Sequence, residues 1–108
     1  MKKEIIDRVI NKAKKSSCDY KVAAIGISDD GRVLGSFFNK PRFQRKGGSI
    51  HAEMQVMKNF KGNLKTILIV RVGESGTLLP IHPCPVCKEK AKELNVKIVS
   101  LHEQIINN

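Results

Sequence analysis

KTILIVRV, residues 65–72, is β-branched and continuously apolar at its centre, the pattern of a strand covered on both faces and therefore central in a sheet. Downstream, VCKEKAKEL (86–94) reads as a helix stopping near Asn95, with Pro85 where a first turn tolerates a missing N–H. VKIVSL (96–101) is the last clear strand, and a helix between two strands makes them parallel through a right-handed crossover. Upstream, IHAEMQVMKNF (50–60) reads as a helix, and Ser49 stands where it can accept from the free N–H groups that open it. Before it comes a basic loop, KPRFQRKGGS (40–49). KVAAIGIS (21–28) and RVLGSFFN (32–39) flank DDG, a turn in which Gly31 supplies positive φ, so they form a β-hairpin. KEIIDRVINKAKK (3–15) spaces its apolar residues as an amphipathic helix does. The order is α, β, β, α, β, α, β, expected to fill one domain over residues 1–108.

The chain carries a formal charge of +10, and its distribution says more than its total. Between Gly31 and Gly73 the only acidic residue is Glu53, against nine bases, four of which crowd into KPRFQRK. Such a stretch carries a positive field suited to a phosphate-bearing partner, and Arg42 and Arg45 are its candidate substrate contacts. No run approaches the roughly 20 apolar residues of a membrane span, and MKKEIIDRVI breaks its apolar run with Asp7 and Arg8, unlike a signal peptide. Three cysteines, an odd and small number, fit a reduced compartment. A cytoplasmic protein is expected.

Cys84 and Cys87 in PCPVC form a C-x-x-C pair at a helix start. Thioredoxin-type redox chemistry would also need a proline well downstream, and none follows Pro85. A closed structural zinc site would need a second close pair of ligands, which Cys18, His82 and His102 do not make. The remaining partner is HAE, residues 51–53, at another helix start. His51, Cys84 and Cys87 supply three ligands and leave a fourth position for water, the composition of a catalytic zinc site. Zinc lowers the pKa of such a water, and Glu53 is near enough along the chain to take its proton. Both helix N-termini add a positive environment for thiolates.

HAE and PCPVC together are similar to the H-x-E and P-C-x-x-C signature of zinc-dependent base deaminases, and the chain resembles a small member of the cytidine deaminase superfamily. The resemblance implies a three-layer α/β fold with a mixed sheet of four or five strands flanked by helices. It implies that His51, Cys84 and Cys87 bind zinc while Glu53 shuttles protons in a hydrolytic deamination of a cytosine-bearing nucleoside or nucleotide. It further implies that Asn39, at the end of the second strand, contacts the substrate's sugar and that Ala52 presents backbone to the base edge. His51 and Glu53, two apart, would not share a face of a regular helix, so their convergence rests on the resemblance.

After Leu101 only HEQIINN (102–108) remains, short for the fifth strand and extra helix that many members add. Either the sheet has four strands plus a brief edge strand, or a partner chain covers the exposed edge; the family habit implies a homo-oligomer. Two other readings stand beside the leading one. A deaminase of cytosine or adenine in single-stranded DNA or RNA is favoured by the charge, and disfavoured because Trp is absent and Tyr20, Phe37, Phe38, Phe43 and Phe60 read mostly as core. A zinc-stabilised binding module without catalysis is disfavoured by the intact Glu53.

Overall fold

The computed structural model describes residues 3–18, 20–41 and 49–106. The elements are α1 (Lys3–Lys14), β1 (Lys21–Ser28), β2 (Val33–Phe38), β3 (Lys40–Pro41), β4 (Ser49–Ile50), α2 (Ala52–Asn59), β5 (Leu64–Val72), β6 (Leu78–Leu79), α3 (Pro85–Glu93), β7 (Lys97–Ser100) and α4 (Leu101–Ile106). All seven long elements read from the sequence are present. No described helix is long and apolar enough to cross a membrane.

Strand β5 is the spine of a five-stranded mixed sheet. It pairs antiparallel with β1 along one edge, while its other edge pairs with β7 in parallel and with β6 antiparallel. β1 pairs in turn with β2 around a turn in which Gly31 has φ +84°. Side chains of a strand alternate between faces, and here the two sets enter different cores. Val22, Ala24, Ile67 and Ile69 pack beneath α2 and α3 with Val56, Met57, Cys87 and Ala91. Ala23, Ile25, Leu68 and Val70 pack against α1 and the start of α4 with Val9, Ala13 and Leu101. The result is helix, sheet, helix, in three layers.

Two expectations are corrected. Ser49 does not cap α2; it lies in β4, paired with Pro41, and the cap position falls on His51, whose side chain makes no capping bond. The chain enters α2 from a short hairpin, so the residue before the helix is extended (φ −68°, ψ 138°) and its imidazole is left for other work. Residues 73–82, where the order read from the sequence has no strand, contain β6, because Gly76 at φ +82° closes a turn that brings the Thr77 carbonyl to the Gly73 N–H at 2.9 Å. Leu78 and Leu79 then pair with Val72 and Arg71.

The close seat of α2 on β1 depends on Gly26. A Cβ there would stand 2.7 Å from Val56 Cγ1 and 3.0 Å from Leu64 Cδ1. At the far side of α2, Gln55 Nε2 donates to the Phe38 carbonyl at 2.9 Å. Glycine inside a strand is less favourable than alanine by about 0.5–1 kcal/mol, but overpacking a filled core costs about 1–3 kcal/mol. Gly26→Ala is therefore expected to lower stability by about 1–2 kcal/mol, read by denaturant unfolding with an unchanged slope.

Candidate metal centre

Two helices begin at the same place. α2 starts after His51, α3 starts after Cys84, and Cys87 sits in the first turn of α3 with Pro85 at its head. A first turn has no intrahelical acceptors for its leading N–H groups, so both helices turn their positive ends toward these side chains. The ligand atoms of His51, Cys84 and Cys87 lie within 4.8 Å of one another. His51 Nδ1 is 3.4 Å from Cys87 Sγ. Tetrahedral zinc with usual Zn–N and Zn–S bonds would separate such a pair by about 3.6 Å, so the donor set fits one ion.

The electrostatics agree. Burial, then the Glu53 carboxylate and the Cys84 sulfur beside it, push the Cys87 thiol up from 9.0 to about 12. The Cys87 thiol therefore holds its proton unless a cation compensates the charge around it, and a divalent ion bound by both cysteine sulfurs is that cation. Glu53 is only 4% exposed, and its carboxylate is one of the groups that raise the Cys87 thiol. His51 stands outside the helix in extended backbone while Glu53 is in its first turn. The wheel argument that separates residues two apart therefore does not govern this pair.

A cavity of about 140 Å³ opens on the cluster, lined by Tyr20, Val22, Asn39, His51, Ala52, Glu53, Ile81, His82 and Cys84. That is well under the roughly 300 Å³ at which pockets for drug-sized ligands begin, the scale of a base. Two larger depressions lie elsewhere, one beside Asp30 and Lys61 and one between α3 and β7, and neither is lined by a His or Cys. His82 is exposed and its Nδ1 faces Glu103 of α4 at 3.3 Å.

Asn39 and Ala52 both line the cavity, whereas Arg42 and Arg45 lie outside the described residues. The Asn39 side chain is buried, and its amide orientation is fixed by its partners. Oδ1 accepts from the Val22 N–H at 3.0 Å and the Ser16 hydroxyl at 2.7 Å, while Nδ2 donates to the Tyr20 carbonyl at 2.6 Å. One Nδ2 hydrogen remains. Tyr20 is not the core residue its setting suggests: it is 48% exposed at the mouth of the cavity. Phe37 and Phe60 do pack into the core, their ring centres 6.1 Å apart.

Residues 1–103 match the sequence family described as the cytidine and deoxycytidylate deaminase zinc-binding region. The chain belongs to that family. Among solved structures, cytidine deaminase from Mycobacterium tuberculosis is similar at 19% identity, covering 93% of this chain and 85% of that one with a TM-score of 0.64. Cytidine deaminase from Mycobacterium leprae is similar at 20% identity, 87% and 82% coverage and TM-score 0.60. The dCMP deaminase of cyanophage S-TIM5 follows at 19%, 93%, 84% and 0.55. No curated relative matches. These likenesses show the cytidine deaminase-like α/β fold, and zinc is the cofactor of this family's binding region.

Zinc uptake by the metal-free chain should reach one ion per chain and release protons, because thiols become thiolates. Cys87→Ala should abolish stoichiometric uptake in metal analysis; full occupancy in that variant would remove Cys87 from the site. Asn39→Ala should destabilise the fold by about 1–3 kcal/mol, the cost of leaving a buried donor such as the Val22 N–H unsatisfied, as read by chemical unfolding.

Proposed function

We propose that this deaminase-family chain hydrolyses the exocyclic amine of a cytosine-bearing nucleoside or nucleotide, giving the uracil product and ammonia. The observation that carries the reading is the buried Glu53 carboxylate beside a three-ligand metal cluster, both facing one base-sized cavity. His51, Cys84 and Cys87 would hold the ion. When bound, zinc supplies a Lewis acid that brings the pKa of a water in its open position toward neutrality.

Glu53 moves the protons. It takes one from the attacking water as oxygen bonds to C4 and delivers it to N3. It then passes the hydroxyl proton at C4 to the amine nitrogen as the C4–N bond breaks, so that ammonia leaves and a carbonyl remains. Burial suits the task, since a carboxylate shielded from bulk water keeps its proton between transfers. Ala52, at the open N-terminus of α2, has backbone groups to offer the base edge, and the remaining Nδ2 hydrogen of Asn39 can reach a sugar hydroxyl. Arg42 and Arg45 are assigned to the substrate's phosphate side on their charge alone. The reading includes assembly into a homo-oligomer, supported by the edge of β7, which pairs only with β5 among the described residues.

A second reading, action on a base in single-stranded nucleic acid, draws support from the half-exposed Tyr20 at the cavity mouth, since exposed aromatics stack bases. An ammonia-release assay against cytosine, adenine and guanine nucleosides, their monophosphates and short single strands separates the two. Glu53→Ala should keep zinc and fold but lose about 10²–10⁴-fold in turnover. A variant within a few-fold of the wild type would show that Glu53 is not the shuttle.

A further inference from the structure

Ile67 and Ile69 of β5 face α2 and α3, and strand periodicity puts Arg71 on the same face, two residues on. Its partner across the β1 ladder is Val22, a wall of the cavity, and across the β6 ladder Leu79. A cation at the end of an apolar row is normally matched by a carboxylate. The ion pairs among the described residues involve Asp30, Glu93 and Glu103, and none of them reaches Arg71. Among the described residues its buried Nε has no acceptor.

What Arg71 does touch is Tyr20. The guanidinium carbon lies 3.8 Å from the centre of the Tyr20 ring, a stacked cation–π arrangement. Stacking occupies the flat face of a guanidinium and leaves its in-plane N–H donors pointing outward, the edge that matches phosphate oxygens two at a time. The backbone that carries this ring is anchored, because Asn39 Nδ2 donates to the Tyr20 carbonyl and Lys21 Nζ donates to the Ser16 carbonyl at 2.7 Å in the same segment. The cavity is on the scale of a base, which puts sugar and phosphate toward its mouth, where Tyr20 stands.

We propose that Arg71, stacked on Tyr20, is the residue that recognises the phosphate of a nucleoside monophosphate substrate. The proposal rests on the deaminase reading above and narrows its substrate to the phosphorylated form. Arg71 sets specificity and has no part in the bond changes at C4.

The test compares cytidine, cytidine 5′-monophosphate and a short cytosine-containing single strand as substrates of the zinc-loaded full chain and of Arg71→Gln and Arg71→Lys. Arg71→Gln should lower the ratio of kcat/KM for the monophosphate over cytidine by about 10–100-fold, the worth of a charge-assisted hydrogen bond, with the change carried by KM. Arg71→Lys should recover part of that ratio, because it restores charge without the fork. An unchanged ratio in Arg71→Gln would overturn the proposal, as would a loss confined to the single strand, which would place the phosphate in a polymer. Titration calorimetry with uridine 5′-monophosphate and with uridine reads the same contact without turnover, so a wild type inactive on every cytosine substrate would sink the deaminase reading while the phosphate contact is still decided. Zinc content and thermal melting of each variant separate a lost contact from a lost fold; if Arg71→Gln fails to fold, the calorimetric comparison of Arg71→Lys with wild type decides, and equal monophosphate affinity there overturns the proposal.

Discussion

Two sulfurs, an imidazole and a carboxylate crowd into the space of one ion, and everything around them serves to hold that crowd in place. Such a set repels itself once its thiols ionise, so the fold has to supply positive potential and rigid backbone together. It does so by aiming the N-termini of α2 and α3 at one point. Both helices lie on the same sheet face, over Ile67 and Ile69, and the close approach of Val56 to Gly26 sets the depth of α2. The parallel crossover from β5 through α3 to β7 then fixes where Cys84 and Cys87 emerge. Zinc completes the balance of charge, and the same energy that binds it stabilises the arrangement.

Much of this was legible in the sequence because its signals are local. The unbroken apolar run at 65–72 marks a strand buried on both sides, and its neighbours follow from turn glycines and helical spacing. His51, Cys84 and Cys87 were legible for a different reason, namely that ligand chemistry leaves few combinations of three. What escaped was decided by register. Ser49 looks like a cap by its residue type, but a two-residue pairing with β3 draws it into a strand and hands the cap position to His51. That same shift makes His51 and Glu53 converge, which no helical wheel would show. Tyr20 reads as core from its place just before an apolar strand, yet it stands at the cavity mouth because the Asn39 side chain holds its carbonyl. Arg71 is one basic residue among nine until strand pairing sets it opposite Val22.

Asn39 therefore has two assignments that support each other. Its three hydrogen bonds tie the end of β2 to the segment joining α1 and β1, which carries Ser16 and Tyr20. A residue with one remaining donor and no rotational freedom is well suited to meet a sugar hydroxyl, since the entropy of fixing it is already spent on the fold. If the proposed sugar contact is right, loss of Asn39 disturbs substrate binding in two ways, by removing a donor and by releasing the Tyr20 backbone.

Chemistry and selection are built from different parts of the sheet. In the proposed reaction the base faces residues at the starts of two helices, whose positions follow from helix packing on β1 and β5. Tyr20 and Arg71, proposed to meet the part of the substrate outside the cavity, take their positions from strand pairing at the opposite end of β5 from the parallel contact with β7. Because the two sets meet at the walls of a cavity of about 140 Å³, a change at the mouth is expected to leave Glu53 and the ligands in place while altering the proposed choice of substrate. With zinc balancing the two thiolates, the cation at the mouth is the group left to attract a phosphate, so on the proposed reading the phosphate stays at the rim and the base is the end that goes in. The scarcity of acidic residues between Gly31 and Gly73 thus has a directional consequence, which net charge alone does not express.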